Sequence, residues 1–136
     1  MSYLLDTNVC IALMNLSSNK VRSRFVHAAN SKALISTSCI VVHELWYGVA
    51  KSQLAAQNAH ALTVFLSRDI VVLDFSEKDA QAAGEIRADL ERRGKRIGEY
   101  DTLIAGQAFA RNLILVTANT REFARVKGLV AEDWTA

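Results

Sequence analysis

The stretch from Tyr3 to Asn8, YLLDTN, decides the fold. A short apolar run stops at a carboxylate followed by two small polar residues. Continuous rather than alternating hydrophobicity marks a strand buried on both faces, the habit of parallel sheets. In such sheets ligands gather beyond the carboxyl ends of the strands, and Asp6 stands at one. Alone, that acid is ambiguous. Asp6 or Asn8 can accept the free amides of a helix beginning near Val9, which leaves one of the two spare.

Working outward, further short apolar runs at residues 34–36, 70–73, 113–116 and 129–131 read as four more buried strands. Helical patterns lie between them at 9–16, 21–29, 40–52, 54–67, 77–93 and 100–111, with a short helix from Thr120, expected as its N-cap. Strand–helix alternation predicts an α/β fold with a central parallel sheet of about five strands flanked by helices. With 136 residues, one domain over 1–136 is expected, large enough to bury roughly two-thirds of its unfolded surface.

Composition narrows the function classes. The chain is 51% hydrophobic and 22% charged, with a net charge of +2, which suits a globular protein and permits nucleic-acid binding without arguing for it. Cys10 and Cys39 stand alone, away from His27, His43 and His60, so neither a zinc site nor a disulfide framework is expected. Reduced core thiols fit a cytoplasmic location. No apolar run reaches the roughly 18 residues that a membrane helix needs.

Three more polar positions stand out. Glu44, in HELWYGVAKS, borders the apolar stripe of its helix with Lys51 as polar neighbour. Asp101, in GEYDTLIAGQ, shares its helix face with Ile104, Ala105 and Ala108, so its carboxylate should be partly buried. A buried charge costs several kcal/mol unless compensated, and the helix dipole returns only about 0.3–1 kcal/mol. A cation, a proton or several hydrogen bonds must offset the difference, and something positive is expected against Asp101. After the strand at 113–116, Thr117 and Asn119 fall on the same sheet edge as Asp6.

Together the segments LLDTNVCIAL, HELWYGVAKS, IGEYDTLIAGQAFARNLILVTANTREFARVKGL and VAEDW resemble the PIN-domain ribonucleases, specifically the VapC toxins of type II toxin–antitoxin pairs. The resemblance spans essentially the whole chain. It implies a metal-dependent endoribonuclease whose acidic site uses Asp6, Glu44 and Asp101, with Asn119 at a fourth position that is often aspartate in the family. Glu122 is a candidate to supplement that neutral amide. Oxygen-only ligands suit hard ions, Mg²⁺ or Mn²⁺, one or two of them. Asp6 and Asp101 are the expected principal ligands, Glu44 a ligand or the group that positions a metal-bound water, Asn119 a neutral ligand or a support for the ligands, and Thr7, Asn8 and Thr117 orienting groups, with Asn8 left to cap the helix.

The resemblance also implies a VapB-type antitoxin that inhibits the toxin, a homodimer and a hetero-oligomer with the antitoxin. It points to structured RNA as substrate: the anticodon stem-loop of initiator tRNA, or a ribosomal RNA loop, with inhibition of translation as the result. Leu13, Met14, Leu16, Phe25, Trp46 and Phe65 are candidates for the antitoxin groove. Arg87, Arg92, Arg93, Lys95 and Arg96, followed by Arg121, Arg125 and Lys127, flank the site as candidate RNA contacts. Trp46, Tyr47 and Tyr100 are candidate stacking groups. Two rivals remain at this point. A haloacid-dehalogenase-like phosphatase would need an aspartate where Asn8 stands. A catalytically weak RNA- or protein-binding module is suggested by Asn119.

Overall fold

The computed structural model describes residues 1–68 and 70–136. Five strands, β1 (Ser2–Leu5), β2 (Leu34–Ser38), β3 (Val71–Leu73), β4 (Ile114–Val116) and β5 (Ala131–Glu132), form one sheet in the order β3-β2-β1-β4-β5. Every pairing is parallel. The central strands β1 and β4 carry Leu4, Leu5, Leu115 and Val116, all completely buried. That burial on both faces is why their apolar runs are unbroken.

Among the described residues seven helices occupy the connections: α1 (Thr7–Asn15), α2 (Asn19–Asn30), α3 (Cys39–Lys51), α4 (Ala55–Leu66), α5 (Glu77–Arg92), α6 (Glu99–Ala110) and α7 (Thr120–Phe123). Their expected ends fall within two residues of those observed. The last strand moves further, starting at Ala131 rather than at residue 129. A turn through Gly128, at φ +82°, and a Leu129 N–H to Val126 carbonyl bond of 3.4 Å occupy the residues expected to open that strand. Trp134 then tucks under the sheet, edge-on to Tyr3 at 5.3 Å between ring centroids.

β1 lies at the switch point of the sheet. The chain runs outward through β2 and β3 on one side, then returns to place β4 and β5 on the other. Parallel sheets open a crevice beyond the carboxyl ends of the strands where the order reverses. The Asp6 amide extends the ladder one residue past β1 by donating to the Val116 carbonyl at 3.1 Å. Asp6 and Thr117 therefore emerge side by side at that crevice.

The helices that frame the crevice are tied together behind it. Gly106 of α6 packs so closely on α5 that a Cβ there would meet the Ala83 backbone at 2.6 Å. Beside this contact Asp79, only 1% exposed, receives the Arg111 guanidinium at 2.8 and 3.1 Å and the Gln107 amide at 3.2 Å. It also closes a capping box with Ser76 at the start of α5. α5 ends in a left-handed Gly94 (φ +65°), with Lys95 N–H reaching the Leu90 carbonyl and Gly94 N–H that of Glu91. This Schellman-type stop turns the basic loop toward α6.

Candidate active site

Asp6 is 8% exposed and, against expectation, caps α1 itself: Val9 N–H donates to its Oδ1 at 2.9 Å. Asn8 is exposed and takes no capping bond through its side chain. The chain turns into α1 immediately after Asp6, so the first side chain past the strand is the one aimed at the free amides. Burial pushes the Asp6 carboxyl up from its ordinary range, and Glu44 adds to this. The hydroxyl of Thr117 and the amides of Val9 and Asn8 pull the other way.

Glu44 projects from the middle of α3, and Thr7 donates to its Oε1 at 2.8 Å. Its position facing Thr7, rather than Lys51, turns it toward the crevice. Lys51 instead sits over the Tyr47 ring at 4.8 Å. Asp101 lies in the first turn of α6, behind Gly98, which caps that helix without a side chain. Its pKa is raised to about 6, chiefly by burial and then by the negative charges of Glu122, Glu44 and Asp6. The expected positive partner for Asp101 is not a side chain: among the described residues no lysine, arginine or histidine forms a salt bridge with it.

Asn119, not Thr120, occupies the N-cap of α7, and Thr120 opens that helix. Asn119 makes no capping bond through its side chain. Its amide instead donates to Glu122 Oε2 at 2.6 Å, while its backbone N–H donates to the Thr117 hydroxyl at 3.0 Å. Gly98 N–H holds the other Glu122 oxygen at 3.4 Å. From the sequence, Glu122 was expected only to supplement Asn119. Here it is the largest single negative influence on Asp101. The neutral amide thus orients an acid.

Four carboxylates share one electrostatic field, yet among the described residues no three His, Cys, Asp or Glu side chains converge as a ready-made ion cage. Thr7 and Asn119 hold Glu44 and Glu122 in hydrogen bonds of their own. This donor set fits a hard divalent ion of the Mg²⁺ type, which takes one or two carboxylates and keeps several waters. It does not fit zinc, whose structural and catalytic sites draw on imidazole or thiolate.

A PIN-domain family model matches residues 3–129. The tRNA(fMet)-specific endonuclease VapC of Shigella flexneri is 44% identical over 135 residues, 99% of each chain. The chain belongs to the VapC family of PIN-domain proteins. Ribonuclease VapC2 of Rickettsia felis is 42% identical over 98% of each chain. Among solved structures, VapBC2 of Rickettsia felis bound to a promoter DNA fragment superposes on this VapC-family chain with a TM-score of 0.92. It is 40% identical and covers 98% of this chain and 99% of that one. DNA-bound VapBC of Salmonella typhimurium gives 0.89 at 40% identity, covering 98% of both chains. PIN-domain nucleases depend on divalent metal ions.

The basic flank of this VapC-family site divides into rivets and free cations. Arg93 grips Asp89 at 2.7 and 2.9 Å and the Arg125 carbonyl at 2.6 Å, and Arg125 returns a bond to the Arg96 carbonyl at 2.8 Å. These two arginines, expected as RNA contacts, bind the loop after α5 to the segment after α7. Arg87 and Arg92 lie in loose helical pairs with Glu91 and Asp89 at 3.5 and 3.8 Å. Lys95, Arg96 and Arg121 are exposed and form no salt bridge among the described residues.

A groove of about 320 Å³ opens between α1, α3 and α4, lined by Ile11, Met14, Leu45, Val49 and Leu62 together with Glu44. Of the residues expected to form an antitoxin groove, Met14 lines it. Leu13, Phe25 and Phe65 pack against the core, and Leu16 and Trp46 are exposed.

Proposed function

We propose that this chain is one PIN domain over residues 1–136 acting as a divalent-metal-dependent endoribonuclease on structured RNA, with tRNA as substrate. The observation that carries this reading is the uncompensated acidity at the switch point: beyond burial, the charges of Glu122, Glu44 and Asp6 make Asp101 harder to ionise, Glu44 does the same to Asp6, and no basic side chain among the described residues pairs with Asp101. Mutual repulsion of this kind is relieved by a cation.

Asp6 and Asp101 would hold Mg²⁺ or Mn²⁺, one ion or two, with Glu44 and Glu122 as further acids. When bound, such an ion withdraws charge from the phosphodiester and acidifies water beside it. The protein's own groups supply orientation. Thr7 fixes Glu44, the Thr117 hydroxyl favours ionised Asp6, and Asn119 fixes Glu122. Asn8 contributes its backbone amide to Asp6. Lys95, Arg96 and Arg121 neutralise flanking phosphates. The substrate assignment leans on the Shigella flexneri relative, whose name specifies tRNA(fMet), and inhibition of translation follows from cleaving initiator tRNA.

The same reading assigns a VapB-type antitoxin as partner, since the solved relatives are VapBC complexes. The groove beside Glu44 suits an apolar segment whose end reaches the acids. A homodimer, a hetero-oligomer with the antitoxin and a cytoplasmic location complete the reading. No helix among the described residues is long and apolar enough to cross a membrane.

Sequencing RNA 5′ ends after brief expression, beside an Asp101→Ala control, tests the proposal. New ends should cluster in tRNA anticodon loops and vanish in the variant. Identical ends from both proteins would contradict it.

A further inference from the structure

Each of two acids in the crevice is preceded by a ring. His43 comes immediately before Glu44 on α3, and Tyr100 immediately before Asp101 on α6. The two rings meet across the helix interface, with centroids 5.5 Å apart, planes tilted by 60°, and His43 Nε2 lying 3.3 Å from the Tyr100 hydroxyl. Neither belongs to the core: His43 is exposed and Tyr100 is 48% exposed.

A large amphipathic ring half in water contributes little to folding. Its fixed orientation beside a phosphodiester site calls for another account. We propose that Tyr100, braced by His43, is a stacking platform for an unpaired RNA base next to the scissile phosphate. The inference rests on the ribonuclease reading of the adjoining acids.

Three observations favour a nucleobase as occupant. The rings follow directly along the chain from acids that would act on the backbone, so a base attached to that backbone arrives at the same rim. The free cations Lys95 and Arg96 lie in the loop that leads into α6, placing phosphate-attracting charge a few residues before Tyr100. The spacing selects the mode of contact. A base inserted between the rings would need about twice the 3.5 Å carbon–carbon separation, more than the 5.5 Å present. The base therefore lies on an open face of Tyr100, and His43 steadies the ring at its hydroxyl edge.

Only a base released from a helix can offer its face in this way, so the platform selects loops over duplex RNA. Its contribution should be tolerant of base identity, because stacking uses a π-face that every base has.

The test uses the full chain, Mg²⁺ and a synthetic initiator-tRNA anticodon stem-loop. Tyr100→Ala should raise KM by about 5- to 150-fold, the range for loss of one base–aromatic stack, with a far smaller change in kcat. Tyr100→Phe, which keeps the ring but loses the contact with His43, and His43→Ala should both give intermediate effects. Replacing loop nucleotides one at a time by abasic residues should reveal one position, adjacent to the cut, that raises KM for the wild type but adds nothing in Tyr100→Ala.

Additive losses at every position, or an unchanged KM in Tyr100→Ala, would overturn the platform while leaving the nuclease intact. No cleavage of the hairpin or of total tRNA by the wild type would instead overturn the ribonuclease reading and the platform with it.

Discussion

A buried and a half-buried aspartate on neighbouring helices have opposite electrostatic fates. The Asp79 carboxylate on α5 is answered from several sides: by two Arg111 nitrogens, the Gln107 amide and the Ser76 backbone N–H. Burial alone would raise its pKa, but these partners hold the carboxyl below its ordinary range. Asp101 on α6 sits among other acids, and its pKa rises to about 6. An acid whose charge is compensated inside the protein supports the fold. One whose charge is left over marks a place where something from outside must bind.

The contrast is broken most forcefully by removing each acid in turn. Asp101→Ala or Asp6→Ala should lower cleavage by more than the roughly 10- to 100-fold expected when a group that only orients a ligand is lost. Far-UV circular dichroism should stay native. Asp79→Ala should do the reverse. It leaves the Arg111 guanidinium and the Gln107 amide with only the Asp74 carbonyl, costing up to about 3 kcal/mol in urea-denaturation stability, while cleavage per folded molecule stays near normal. Equal loss of activity in all three variants would erase the distinction.

Acidity sharpens it next. Because the folded-state pKa of Asp101 lies above its ordinary value, the native protein binds the extra proton between about pH 4 and 6. Its contribution makes metal-free stability fall as pH rises through that window. Asp79 has the opposite sign: its contribution is present above the ordinary aspartate pKa and is lost as pH falls toward its lowered folded value. Asp101→Asn should flatten the first trend and leave the second. Saturating Mn²⁺ should stabilise the wild type by about 2.7 kcal/mol at a hundredfold excess over Kd, and thermal melts should lose that gain below about pH 6. A gain of equal size at pH 4 would contradict the assignment.

Smaller effects separate orienting groups from rim cations. Thr7→Val removes the hydrogen bond to Glu44 and should cost about 10-fold in kcat. Replacing Lys95 and Arg96 together by glutamine should weaken RNA binding by a few-fold at low salt. The salt slope should fall by about one for each phosphate no longer neutralised. An unchanged slope would move the phosphates elsewhere.

Much of the sheet was legible in the sequence because β1 and β4 are buried on both faces, and that burial writes itself as unbroken apolar runs. The crevice was legible for the same reason: a polar residue ending such a run has only one place to go. Local hydrogen-bond chemistry was harder to read. Asp6 and Asn8 are both good caps, and only the backbone path decides that Asp6 takes the bond. Arg93 and Arg125 read as free cations, yet each donates to a backbone carbonyl about thirty residues away in sequence. Composition carries no trace of such a bond.

Asp79 was missed altogether, although the Ser76–Asp79 spacing spells a capping box before α5. Its pairing with Arg111 spans 32 residues and appears only when the helices pack. Glu122 was expected only as a supplement to Asn119, although its charge acts on Asp101 directly. The signal was Asn119 three residues before it, the helical spacing at which an amide can reach a carboxylate.

The most direct measurement is anomalous diffraction from crystals of the full chain grown with Mn²⁺. Manganese density should appear against the carboxylates of Asp6 and Asp101 and be lost in Asp101→Ala crystals. Density bound elsewhere, or none at either acid under conditions where the protein cleaves RNA, would contradict the claim that these uncompensated charges form the metal site.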